Sequence, residues 1–100
     1  MTDHTSTTFQ RDTMEALRRL ANTASAELSP FELDGTNEHY YRATIRQGSV
    51  ELEVYVYADS AGYFKNGRWV PFEKYDYATS GELVRALVSS IEKAFRTAGT

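Results

Sequence analysis

The clearest pattern in the chain is a strict alternation of apolar and polar residues near its centre. Residues 50–56 read Val-Glu-Leu-Glu-Val-Tyr-Val, which predicts a β-strand with one buried face. Residues 41–46 alternate in the same way as Tyr-Arg-Ala-Thr-Ile-Arg. The intervening Gly48-Ser49 is typical of a two-residue type II′ turn. The sequence therefore predicts an antiparallel hairpin.

The turn also fixes the register of this hairpin, because Gln47 must lie opposite Val50 and every further pair follows from that one. On the face predicted to be buried, the pairs are Ile45–Leu52, Ala43–Val54 and Tyr41–Val56. On the other face, they are Arg46–Glu51, Thr44–Glu53, Arg42–Tyr55 and Tyr40–Tyr57. Both faces are chemically consistent in this register, whereas a slip of one residue would mix them.

A second hairpin is predicted at Asn66-Gly67, where both residues tolerate positive φ. It pairs Lys65 with Arg68, Phe64 with Trp69, and Tyr63 with Val70. The like-charged pair is slightly unfavourable unless a carboxylate or an anionic ligand lies nearby. Pro71 lacks an N–H and favours an edge position for the last strand.

These pairs place Phe64 and Trp69 on the opposite face from Tyr63 and Val70, so one set must point away from the main core. We expect that set either to pack under a loop or helix end, or to form an exposed patch that meets a partner.

Two helices flank the strands. Apolar residues recur every three or four positions from Asp12 to Leu28, which predicts the first helix, and Phe9 could extend it backward by a turn. Asp12 and Glu15 fit a capping box at its start, and Pro30 should end it. A broader apolar stripe predicts the second helix from Ser80 to about Thr97, with Thr79 and Glu82 as its capping box.

The predicted order is helix, three or four antiparallel strands, helix, with a further short strand possible at Phe31–Leu33. An apolar sheet face and two amphipathic helices fit together as a two-layer α+β sandwich, with both helices on that face. We expect a single domain over residues 9–100, preceded by a disordered polar tail over residues 1–8.

Composition limits the possible functions. The 100 residues contain no cysteine and carry a net charge of −3, so there is no disulfide or thiolate metal site, and a general phosphate binder is disfavoured. No secretory signal and no apolar run of about 20 residues is visible. The missing cysteines suit a reducing cytoplasm, which is the expected location.

Few residues suggest catalysis or metal binding. His4 and His39 lack neighbours that would make a nucleophile or ligand motif, and the oxygen-rich segment 34–38 lacks the spacing of a calcium loop. Glu51 and Glu53 share a strand face, but cross-strand pairing with Arg46 and Thr44 is the simpler interpretation. We predict no cofactor and no enzymatic activity.

The feature that suggests function is the sheet face predicted to lack a helix. Tyrosine and arginine are favoured in protein interfaces, although the same residues also stabilise sheets through cross-strand pairs. We therefore predict a small interaction module, such as an adaptor, inhibitor or immunity-type protein, that binds a partner through this face or the edge hairpin. The candidate binding residues are Tyr40, Arg42, Arg46, Tyr55, Tyr57, Phe64 and Trp69.

Three alternatives remain open. The same tyrosines and arginines could bind nucleic acid, and the element order resembles that of double-stranded RNA-binding domains. Those domains carry lysines at the start of their last helix, whereas residues 79–82 here are Thr-Ser-Gly-Glu. A ligand or catalytic pocket between a helix and the sheet is the second alternative. Homodimerisation through the Arg68–Phe72 edge is the third.

Overall fold

A computed structural model of the chain describes residues 6–35 and 39–98. In chain order, the elements are α1 (Thr8–Thr23), β1 (Glu27–Leu28), β2 (Glu32–Asp34), β3 (Tyr40–Gln47), β4 (Val50–Val56), β5 (Ala61–Lys65), β6 (Arg68–Phe72), a 3₁₀ helix η1 (Lys74–Asp76) and α2 (Ser80–Ala98). The strands form one antiparallel sheet in the order β1-β3-β4-β5-β6, with β2 also paired to β3. Both helices pack on one sheet face, which confirms the α+β sandwich, although the described sheet has six strands rather than the predicted three or four because the short β1 and β2 also pair with β3.

The central hairpin has the predicted register at all seven pairs from Gln47–Val50 to Tyr41–Val56. Gly48 has a φ of 61° and Ser49 is not in the positive region, as a type II′ turn requires. The second hairpin is also confirmed, since Asn66 and Gly67 both have positive φ and join the predicted pairs. β6 is the outer strand next to β5, as the position of Pro71 indicated.

The core lies between the helices and the apolar sheet face. Leu17 of α1 and three residues of α2 are completely buried there, together with Ile45 of β3 and alternate residues of β4. Tyr63 also points into this layer, where its hydroxyl lies 2.6 Å from the Ser90 hydroxyl. Burial of these side chains supplies the main stabilisation of the sandwich. The completely buried hydrophobic residues are Leu17, Ile45, Leu52, Val54, Val56, Leu83, Leu87 and Ile91.

The possible extension of the first helix back to Phe9 is confirmed, whereas the capping box predicted at Asp12 and Glu15 was wrong. α1 begins at Thr8, and Thr7 is its N-cap. The Gln10 N–H donates to the Thr7 hydroxyl at 3.1 Å, and the Thr7 N–H donates to Gln10 Oε1 at 2.9 Å. This capping box replaces the one predicted at Asp12 and Glu15, and it brings Phe9 into the helix and the core.

The predicted end of the first helix was wrong. The helix ends at Thr23 rather than at Leu28, so Pro30 does not terminate it. Ser25 adopts a φ of 54°, and the Ala26 N–H donates to the Ala21 carbonyl at 2.8 Å. This pattern is a Schellman motif, in which a left-handed residue closes the helix. Leu28 consequently leaves the helix and pairs with Ile45 as part of β1.

The remaining elements follow the sequence closely. α2 begins at Ser80 as predicted, with the Glu82 N–H donating to the Thr79 hydroxyl. The Glu82 carboxylate accepts from the N–H of Ala78 rather than that of Thr79, so the predicted box is only half formed. The possible strand at Phe31–Leu33 is β2, displaced by one residue. Within the described ranges, neither helix combines the length and the apolar character needed to cross a membrane.

At the N-terminus, residues 1–5 of the predicted tail lie outside the described residues, as do residues 36–38 of the predicted turn. The side chains of Ser6 and Thr7 contact the sheet layer, with the Thr7 hydroxyl donating to the Ala58 carbonyl at 2.8 Å.

Candidate functional site

The sheet face opposite the helices, called the open face below, carries all of the candidate residues predicted from the sequence. Strand alternation places them there, because their neighbours on each strand point to the side of the sheet on which the helices pack. Most of them are half-buried against one another, whereas Arg46 is exposed and Phe64 is 37% exposed. No helix of the described chain covers this face.

Five aromatic side chains form a continuous cluster on the open face, which we call the aromatic platform. Tyr55 lies at its centre, with its ring centroid 5.6 Å from that of Tyr40 and 5.8 Å from that of Phe64. Phe64 and Trp69 are 4.9 Å apart, at the β5–β6 end. Such ring pairs contribute about 0.5–1.5 kcal/mol each beyond the area they bury. The members of the platform are Tyr40, Tyr55, Tyr57, Phe64 and Trp69.

Gly62 makes room for the tryptophan of the platform. A Cβ placed on Gly62 would lie 2.5 Å from the Trp69 atoms Cζ2 and Cη2, so the indole rests directly on the glycine backbone. The same ring meets Tyr55 edge-on at 5.7 Å. The sequence indicated that one pair must leave the core, and the structure shows that this pair is Phe64 and Trp69.

A polar chain crosses the open face beside the platform. The Tyr55 hydroxyl donates to Glu53 Oε1 at 2.6 Å. That hydrogen bond, together with partial burial, raises the pKa of Tyr55, because ionising the phenol would place a second negative charge against the carboxylate. A hydrogen bond to Tyr55 and the charge of Asp34 raise the pKa of Arg42. Arg42 Nη2 lies 3.7 Å from Asp34 Oδ2.

Removing the Tyr55 hydroxyl should weaken the dependence of stability on pH in alkaline solution. A raised pKa in the folded state means that Tyr55 contributes stability below its unfolded pKa of about 10 and loses it as the pH rises through the folded pKa. We therefore expect the free energy of unfolding to fall less steeply above about pH 10 in Tyr55→Phe than in the unmodified chain.

Urea titrations at a series of pH values measure this slope. Tyr75→Phe is the control, because Tyr75 is 80% exposed and lies outside the platform. Equal slopes for Tyr55→Phe and the unmodified chain would contradict the role given to the Tyr55–Glu53 hydrogen bond.

Arg46 lies apart from the platform, and its predicted ion pair was wrong. It opposes Glu51 in the register, as predicted, but its guanidinium pairs with Glu27 of β1 at 3.0 Å. Glu53 also differs from expectation, since its hydrogen bond is to Tyr55 on its own strand rather than to Thr44. Because the sequence pattern assigned Glu27 to the first helix rather than to a strand, its position beside Arg46 could not be predicted.

The open face contains acidic residues that sequence reasoning missed. Glu27, Glu32 and Asp34 lie opposite Arg46, Arg42 and Tyr40 respectively, and therefore share their face. With two glutamates of β4 they form what we call the acidic rim, which comprises Glu27, Glu32, Asp34, Glu51 and Glu53. The alternation in Glu32-Leu33-Asp34 was the available signal, but three residues are too few to identify a strand face.

The other chemical candidates form no catalytic arrangement among the described residues, and His4 and residues 36–38 lie outside them. His39 is exposed, and no cluster of three metal-ligating side chains occurs in the described residues. Lys65 and Arg68 oppose each other as predicted, and no described carboxylate forms a salt bridge with either. A groove between α1 and the β1–β2 segment has Arg18 as the one charged residue among its described lining residues, and that guanidinium lies over the Phe31 ring. It therefore offers no acid–base pair.

Comparison with known proteins adds no functional information. No protein-family model, no curated protein and no solved structure matches the chain. A functional interpretation must therefore be based on the open face itself.

Proposed function

We propose that this protein is a small interaction module that binds a partner protein through the open face of its sheet. The observation that carries the proposal is the aromatic platform, five contiguous rings on a sheet face that no described helix covers. Contiguous aromatic surface of this kind is typical of binding sites, and tyrosine, tryptophan and arginine supply most of the strong contacts in protein interfaces. The absence of cysteine supports a cytoplasmic location as part of the proposal.

The observations favour the open face over the edge hairpin as the contact surface. In a two-residue hairpin, the pair beside the turn is hydrogen-bonded and the pairs alternate from there. Lys65–Arg68 is that first pair, so the backbone groups of Trp69 and Pro71 point to the free side of β6. Because proline has no N–H, the free edge of β6 lacks one of the donors that an added strand would need. This disfavours strand addition at β6, including addition by a second copy.

The charges of the open face disfavour nucleic acid as the partner. Among its described residues, five carboxylates outnumber two arginines, and each arginine is paired with an acidic residue of the rim. Phosphate groups would meet repulsion here, whereas nucleic-acid binding depends on a basic footprint.

Site-specific photo-cross-linking tests the proposal. The photoreactive residue p-benzoylphenylalanine is introduced at Phe64 on the open face or, as control, at Tyr75, which is aromatic and exposed but lies on η1. In the native host, we expect a partner protein to be captured from position 64 and not from position 75.

Adding Trp69→Ala to the position-64 variant should weaken capture by about 30-fold, the effect of losing an interface residue worth about 2 kcal/mol. Circular dichroism checks folding, and Tyr57→Ala at the periphery replaces Trp69→Ala if the latter unfolds. Capture that is equal from positions 64 and 75, or that is unaffected by loss of the platform ring, would refute the proposal.

A further inference from the structure

The acidic rim indicates the chemistry of the partner. Counting the residues that the structure describes, the open face holds five carboxylates and two guanidinium groups, so it has three more negative than positive groups. Elsewhere in the described residues, nine basic side chains exceed seven acidic ones. The excess negative charge is therefore concentrated around the aromatic platform, and this distribution favours a positively charged partner surface.

The two arginines do not neutralise the rim completely. Arg46 pairs with Glu27 at 3.0 Å, and Arg42 lies 3.7 Å from Asp34. Glu32 and Glu51 are exposed, and neither carboxylate forms an ion pair or a side-chain hydrogen bond within the part of the chain that the structure describes. These two carboxylates can accept a cation from outside.

Aromatic and acidic groups also meet at one place on the face. Glu53 lies directly opposite Phe64, which in turn lies opposite Trp69. Glu51 is two residues from Glu53 on the same strand face, about 7 Å away by strand geometry. An arginine guanidinium can lie over an aromatic ring while its N–H groups donate to a neighbouring carboxylate.

A second copy of the chain fits this surface poorly. Two open faces brought together would oppose two acidic rims, and like charges in contact are unfavourable. Charge complementarity requires a different chain with the opposite sign.

Building on the proposed function, we propose that the partner protein presents arginine or lysine side chains that lie on Phe64 and Trp69 and pair with Glu51 and Glu53. The platform supplies the rings and the apolar contact, while the rim selects for positive charge. Glu51 and Glu53, which disfavour nucleic acid as a partner, would therefore determine the specificity of the open face for a basic protein segment.

The single tryptophan of the chain allows a direct test, because Trp69 belongs to the platform. Trp69 fluorescence is followed while the full chain is titrated with three synthetic peptides of equal length that alternate glycine with arginine, glutamine or glutamate. A short single-stranded RNA is titrated in parallel. We expect the arginine peptide to change the fluorescence at a concentration at least tenfold lower than the glutamine peptide, and the glutamate peptide and the RNA to have no effect.

Matched variants localise the effect. The double substitution Glu51→Gln with Glu53→Gln should weaken binding of the arginine peptide about fivefold, as expected for the loss of two ion pairs that each contribute less than about 1 kcal/mol. Glu15→Gln with Glu92→Gln makes the same change in net charge on the helices and should leave binding within twofold. Thermal melting confirms that each variant is folded.

Three results would overturn the inference, namely equal affinity for the arginine and glutamine peptides, equal loss in the two double variants, or tighter binding of the RNA. The inference and the proposed function can fail separately. A partner captured from position 64 whose cross-linked segment has no arginine or lysine refutes the inference and leaves the interaction module standing. Absence of capture from position 64 refutes the proposed function itself.

Discussion

Replacing Leu52 with alanine is expected to lower the free energy of unfolding by about 2–5 kcal/mol. Leu52 is completely buried and lies opposite Ile45, which is also completely buried, beneath the helices. Alanine would remove apolar contacts and leave a cavity that the packed layer can close only in part. For a domain of this size, each kcal/mol corresponds to a change of about 4–8 °C in Tm, so the loss should be easily measured.

Leu33→Ala is the matched control for this prediction. Leu33 is also on a strand but is 46% exposed, so its truncation should cost less than about 1 kcal/mol. Urea denaturation followed by circular dichroism gives both values. If the two variants lost the same stability, the side of β4 that is assigned to the core would be incorrect.

Replacing Gly62 with alanine is expected to destabilise the protein by about 1–3 kcal/mol, because the added methyl group overlaps existing atoms. Its Cβ would lie 2.5 Å from two carbons of the Trp69 indole and 2.8 Å from the Val70 carbonyl oxygen. The indole must move, and its contact with Tyr55 would be disturbed. Trp69 fluorescence should therefore change together with the stability.

Gly81→Ala supplies the control, since a Cβ there has no neighbour closer than 3.6 Å and the position is in the first turn of α2. Alanine in a helix is favoured over glycine by up to about 1 kcal/mol, so this variant should be as stable as the unmodified chain or more so. Adding Trp69→Ala should partly relieve the cost of Gly62→Ala. A fully stable Gly62→Ala variant with unchanged fluorescence would contradict the position of the indole.

The sequence predicted the central hairpin well because several signals agreed there. Gly48-Ser49 specified the turn, and alternation over residues 50–56 specified the faces, so a single register satisfied both. Asn66-Gly67 had the same effect for the second hairpin. Where the local turn residues and the hydrophobic pattern favour the same pairing, the register of a hairpin can be predicted without knowledge of its tertiary contacts.

The region after α1 was less predictable because its helix end has an uncommon residue. Glycine usually occupies the left-handed position of a Schellman motif, whereas here it is Ser25. Leu28 happens to fall at the spacing of the apolar stripe of α1, so the pattern assigned it to the helix. The two-residue strand β1, which contains Leu28, is too short to give a pattern of its own. Pairing with β3, a tertiary contact, determines its conformation.

The candidate site was predictable in part, because some of its residues lie on the well-predicted hairpins and others on the short strands β1 and β2. The aromatic residues and arginines lie on strands whose faces the alternation defines, so their placement together could be expected. The acidic rim depends on β1 and β2, which are too short to give a pattern and are positioned by β3. The pairing of Arg46 with Glu27 could therefore not be derived from sequence spacing.

Hydroxyl-radical footprinting of the protein with its captured partner tests the central claim, that the open face is the contact surface, most directly. This method measures the accessibility of individual aromatic side chains. We predict that Phe64 and Trp69 become protected in the complex while Tyr75, on η1 and 80% exposed in the free protein, reacts as before. Protection of Tyr75 with unchanged oxidation of Phe64 and Trp69 would show that the partner binds elsewhere and would contradict the account.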